Sequence, residues 1–193
     1  MTLLESISPT ARQLLAGKTD ASPEVLAVRV KVLRLTELND VCLTGVLLST
    51  GIKDNDIQLS SLCQGLGLLA ASETEGNTEE VLMRLFGCAF GWLRALKVRQ
   101  PYLLIVQERD RQENFVKTGK FKATCASREM KFSTKIRVLA EEVGEVAQAI
   151  DLLEKCKTNM RRQWLITEIV QVNAVLVAWL ESLQPTPPVA VTQ

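Results

Sequence analysis

Leu139-Ala140-Glu141-Glu142-Val143-Gly144-Glu145-Val146-Ala147 is the stretch on which the fold turns. If it is helical, Glu141 and Glu145, four apart, share one face, and Glu142, three before Glu145, flanks it. Like charges at these spacings cost helix stability unless a cation neutralises them. On an isolated helix such a pattern is ordinarily a solvated acidic face paired with Lys and Arg. Two neighbouring features argue against that here. Glu145 is followed by Val146, Ala147, Ala149 and Ile150, which predicts a substantially buried helix. The next helix, over 159–183, carries the apolar register Leu165, Ile169, Val172, Leu176 and Leu180, with Glu168 embedded in it, where an uncompensated charge is costly.

The turn between the two helices falls near Lys157. Glu145 lies about 12 residues before it and Glu168 about 11 beyond, so at 1.5 Å per residue each is roughly 17 Å from the turn. An antiparallel hairpin therefore sets Glu168 opposite Glu145, and Glu141, Glu142, Glu145 and Glu168 converge. Oxygen-only ligation of this kind suits Mg²⁺ or Mn²⁺ rather than zinc.

Outward from this hairpin the pattern is helical almost throughout. The expected helices span 10–16, 23–49, 57–71, 78–97, 101–113, 129–155 and 159–183. Ser22 before Pro23 makes an N-cap and first-turn pair, and Asn77 precedes Glu79 and Glu80, which favour a helix start. Polar breaks are expected over 51–56, 72–77 and 117–127. Gly91-Trp92-Leu93-Arg94-Ala95-Leu96 resembles Ala178-Trp179-Leu180-Glu181-Ser182-Leu183. Upstream, Leu33 to Val41 can be laid on Val138 to Val146, with Glu37 on Glu142, Asp40 on Glu145 and Val81 on Glu168. The organisation expected is a degenerate half over 1–98, an acid-bearing half over 99–184 and a flexible tail over 185–193. Two unrelated amphipathic helices ending in Trp-Leu would give the same match by chance.

Composition narrows the chemistry. The chain contains no histidine, which removes Ser-His-Asp and Cys-His catalysis and His-ligated zinc. Its net charge of +1 supplies no global field toward nucleic acid or membrane, so neither is an expected partner. The five cysteines form no CxxC pair, which fits reduced thiols and a cytoplasmic location. Met1 to Leu15 holds Glu5, Pro9 and Arg12 and does not read as a signal peptide. The apolar run Val170 to Leu180 is too short to span a bilayer.

EExxE followed after a hairpin by ExxD is the signature of the MazG-like nucleotide pyrophosphohydrolases, and this chain resembles them from Gln107 to Leu183. The matching blocks are Gln107-Glu108-Arg109-Asp110-Arg111-Gln112, Lys135 to Leu139, the three acids, and Glu168-Ile169-Val170-Gln171 running on to Trp179. The resemblance implies an all-α helical bundle of MazG-like type, here as an internally duplicated pseudo-dimer that associates further into a homo-oligomer. It also implies Mg²⁺-dependent hydrolysis of a nucleoside triphosphate to a monophosphate and pyrophosphate, with Glu141, Glu142, Glu145 and Glu168 as metal ligands and catalytic carboxylates. One departure matters: Gln171 stands where the family motif has Asp. It can offer a carbonyl oxygen to the cofactor but no charge. A catalytically weakened nucleotide-binding protein on the same scaffold is therefore the alternative, and a purely structural helical module a third.

Lys117, Lys120, Lys122, Arg128, Lys131 and Lys135 precede the acids and could hold phosphate oxygens, Lys135 being the best placed of a set that otherwise reads as a solvated basic loop. Phe115, Phe121 and Phe132 could stack on a base, although packing is the commoner use. Trp164 and Trp179 are expected in the core.

Overall fold

The computed structural model describes residues 54–184, all of whose regular elements are helices. The expected helices over 10–16 and 23–49, the segment 33–41 of the proposed repeat, and the tail 185–193 lie outside the described residues. The five helices are α1 (Asn55–Glu75), α2 (Thr78–Ala95), α3 (Pro101–Lys117), α4 (Phe132–Lys155) and α5 (Asn159–Leu183).

Each boundary has a local cause. The Asp54 side chain accepts from the Asp56 N–H at 2.9 Å and opens α1. α1 does not stop before the expected break at 72–77. It runs on to Glu75 and ends where Gly76 takes φ 71°, donating its N–H to the Ser72 carbonyl at 3.0 Å. Pro101 sits in the first turn of α3, where its missing N–H costs nothing. α4 begins three residues later than expected, because Ser127 to Met130 is used in turns closed by Ser127 N–H to Thr124 and Met130 N–H to Ser127. Thr158 caps α5 by accepting from the Arg161 N–H at 3.2 Å.

α1 and α2 form one hairpin, α4 and α5 a second. α2 packs on α5 and α1 on α4, which makes a four-helix arrangement, and α3 lies against α5. α5 is the central element. It buries fifteen residues, including Leu165, Ile169, Val172, Leu176 and Leu180, the register read from the sequence. By length and composition the whole of α5 could cross a bilayer, a property that its short apolar run did not suggest. Most of that apolar surface, 83% of the window concerned, is consumed by the neighbouring helices. Trp92 near the end of α2 and Trp179 near the end of α5 are both essentially inaccessible, so the two Trp-Leu segments occupy core positions on adjacent helices. The helix that precedes and packs on α2 is α1, as α4 precedes and packs on α5.

α1 and α2 approach closely at Gly65. A Cβ there would stand 2.3 Å from Leu85 Cδ2 and 2.8 Å from its Cγ, and Leu85 is buried. A Cβ at Gly144, between the site acids on α4, would meet nothing within 4 Å among the described residues. Gly65→Ala is therefore expected to destabilise by about 1–3 kcal/mol through overpacking. Gly144→Ala is expected to stabilise by about 0.5–1 kcal/mol, since only helix propensity changes. Urea unfolding of the two variants checks the opposite signs.

Candidate metal centre

The turn between α4 and α5 occupies 156–158, where the sequence placed it, and brings α5 back along α4. Glu142 and Glu145 from α4 meet Glu168 from α5, each offering a carboxylate oxygen, with these atoms all within 4.8 Å of one another. Ligands on Mg²⁺ at 2.0–2.1 Å lie at most about 4.2 Å apart, so small side-chain rotations would bring these three into its coordination sphere. Glu168 is the deepest, at 7% exposure. Its Oε1 accepts the Trp164 indole N–H, while its Oε2, like Glu142 Oε2, is buried without a hydrogen-bond partner among the described residues. Two buried carboxylate oxygens with no donor, on residues of one acidic group, are the structural condition a cation would relieve.

The electrostatics agree. The Glu142 carboxyl is pushed up from 4.5 to about 7 by burial, then by the charges of Glu145, Glu168, Glu108 and Glu141. Glu168 is raised by burial and by Glu145 and Glu108, against the lowering effect of the Trp164 N–H. Glu141 is exposed, outside the group of three, and acts on Glu142 as a nearby charge. Gln171 is half-buried one turn beyond Glu168, on the same side of α5.

The raised Glu142 carries a pH signature in metal-free protein. Between about 4.5 and about 7 the folded state holds a proton that the unfolded chain has released. Its contribution is therefore fully present below the unfolded value and is lost as pH rises through the folded one, on the order of 2 kcal/mol after allowance for its partial exposure. Thermal melts in chelator should fall in midpoint from about pH 5 to about pH 8, and more steeply for the native chain than for Glu142→Gln. Equal slopes would contradict this assignment.

Lys135 does not join the acids. It is buried, its Nζ donates to Ser182 Oγ at 2.5 Å and lies 5.9 Å from the Trp179 ring, and burial lowers its pKa. Two residues missed by the sequence argument come from α3. Glu108 contributes to the field on Glu142 and Glu168, and it is held bidentately by Arg111, with 2.6 Å to both Nε and Nη2. Arg111 in turn feels Glu142 and stands 4.9 Å over the Phe115 ring. Both residues were visible in the block around Gln107, but no spacing rule ties a helix before a long loop to the hairpin after it.

Phe115, Phe121 and Phe132 are used in packing, the commoner of the two expected roles. Phe115 is covered by Arg111, by Lys120 Nζ at 3.9 Å and by the edge of Phe121 at 5.0 Å. Phe132 packs edge-on to Trp179 at 5.1 Å. Trp179 is in the core, but Trp164 is not. It is 47% exposed, in the mostly exposed first turns of α5, with its indole N–H on Glu168 one turn further along. No family model, curated protein or solved structure matches this chain.

Proposed function

We propose that this protein is a MazG-like, Mg²⁺-dependent nucleoside triphosphate pyrophosphohydrolase whose centre is Glu142, Glu145 and Glu168, with Glu141 at its exposed edge. The observation that carries it is the meeting of Glu168, whose Oε2 is buried and finds no hydrogen-bond partner among the described residues, with Glu142 and Glu145 across the α4–α5 hairpin. The donor set is all oxygen and strongly negative, which fits Mg²⁺ or Mn²⁺. When bound, such ions polarise phosphate oxygens and lower the pKa of water. The chain's own part is to hold Glu168 in one orientation through Trp164, to present Glu142 and Glu145 from adjacent turns, and to offer Glu141, exposed beside them, as a general base. Histidine is not required.

The two packed hairpins, with Trp92 and Trp179 at comparable core positions, support a pseudo-dimer whose second half alone supplies the acids, although the helix paired with α2 is α1 rather than the segment 33–41 that the alignment laid on α4. Further association into a homo-oligomer and a cytoplasmic location belong to the same reading.

The test is release of pyrophosphate from a panel of nucleoside triphosphates with Mg²⁺ or Mn²⁺. Turnover that disappears in Glu145→Gln supports the proposal. Folded protein inactive on every nucleotide tells against it. Gln171 favours a second reading, a nucleotide-binding protein without turnover, and calorimetry would then show metal-dependent binding in that inactive protein.

A further inference from the structure

The proposed centre explains how phosphates are held and leaves open what sits at the other end of the ligand. Trp164 is a large aromatic side chain, 47% exposed at the N-terminal end of α5 just before its buried stretch begins at Leu165, and its indole N–H donates to Glu168. That bond fixes the ring beside one of the three carboxylates. One helical turn separates the two residues, about 6 Å of rise, the order of length a ribose puts between a base and its first phosphate. Met160, one turn earlier and 78% exposed, continues the apolar strip away from the acids, and a thioether packs well on flat rings. The phenylalanines of α3, its following loop and the start of α4 are engaged elsewhere: Phe115 under Arg111 and Lys120, Phe121 on Phe115, Phe132 on Trp179.

We infer that the exposed face of Trp164 is the platform on which the nucleobase stacks, so that the site takes nucleotides in preference to bare polyphosphates. This rests on the carboxylates being a metal–phosphate centre. Stacking reads a π-face that every base possesses, so the platform selects for the presence of a base and discriminates little among bases. Trp164 is thereby both a positioning residue for Glu168 and a substrate contact.

The experiment compares two probes on the full chain by calorimetry with Mg²⁺: inorganic tripolyphosphate and a non-hydrolysable nucleoside triphosphate analogue. The native protein is expected to bind the nucleotide about tenfold tighter, the usual scale of one base on one aromatic ring. Trp164→Ala should bind the two alike. Trp164→Phe should retain most of the preference, because it keeps a ring while losing the bond to Glu168. Any weakening through Glu168 affects both probes and cancels in the ratio. A second readout needs no variant: Trp92 and Trp179 are buried, so nucleotide should quench the solvent-accessible emission of Trp164 more than tripolyphosphate does. Equal affinities in the native protein overturn the inference and leave the centre standing. So does an unchanged preference in Trp164→Ala, including the case where that variant alters self-association instead. Failure of tripolyphosphate to bind at all with Mg²⁺ removes the metal–phosphate centre and the inference with it.

Discussion

Glu168→Gln is expected to raise the melting temperature of the metal-free protein by about 2–5 °C and to abolish its stabilisation by Mg²⁺. The two effects have opposite signs and one cause. In the native chain Glu168 is buried beside Glu142 and Glu145, and burial, with the charges of Glu145 and Glu108, raises its carboxyl. A neutral amide removes a like charge from a poorly hydrated place, yet its carbonyl can still accept the Trp164 N–H, so no cavity opens. For a native site with a dissociation constant near 0.1 mM, saturating Mg²⁺ at 10 mM contributes about 2.7 kcal/mol, which the variant should lose. Any hydrolysis should fall about 100-fold or more. A solvated acidic surface predicts otherwise: no Mg²⁺ response in either protein and no gain from the amide. Melting curves of both proteins in chelator and in Mg²⁺ separate these outcomes.

The second large effect belongs to Arg109, which holds α3 on the bundle. Its side chain is fully buried, and it reaches Gln112 Oε1 at 2.8 Å, Glu113 Oε1 at 2.6 Å and, across to α5, Glu181 Oε2 at 2.8 Å. Assembling such a cluster gains little over an apolar packing of the same shape, but removing one member leaves charge buried without its partner. Arg109→Ala is expected to cost about 3–5 kcal/mol, a fall of about 10 °C or more in midpoint for a chain of this size. Arg109→Met combined with Glu181→Leu should recover much of the loss, because both charges leave together. A double variant no more stable than Arg109→Ala would show that volume, not charge, sets the cost. α3 also carries Glu108 and Arg111, so loosening it should weaken Mg²⁺ binding even though Arg109 touches none of the three acids.

The all-helical character and the α4–α5 hairpin were legible in the sequence because both depend on local rules. The apolar register of α5, the Thr158 cap and the polar turn all lie within a few residues of what they determine, and helix rise converts sequence distance into position. The meeting of Glu168 with Glu145 follows from that arithmetic. What was not legible depends on contacts between elements distant in the chain. The role of Glu108 requires knowing that α3 folds back beside the hairpin. The burial of Arg109 requires knowing that Glu181 waits across the interface; by composition alone α3 looks like a solvated helix. Trp164 was expected in the core because tryptophan usually is, but it falls in the first turns of α5, before the stretch that the neighbouring helices bury. Lys135 was aimed at phosphate on proximity in sequence, but about seven residues of helix, roughly 10 Å, separate it from Glu142 and bring it to Ser182 at the far end of α5. The end of α1 was misplaced because Ser72, Thr74 and Glu75 read as loop residues, whereas the left-handed Gly76 is the actual stop.

The most direct measurement is the anomalous scattering of Mn²⁺ in crystals of the full chain grown with a non-hydrolysable nucleoside triphosphate analogue. A peak is expected between α4 and α5, ligated by oxygens of Glu142, Glu145 and Glu168 and by the analogue's phosphates. Nucleotide bound elsewhere, or no manganese at these three carboxylates at millimolar concentration, would contradict it.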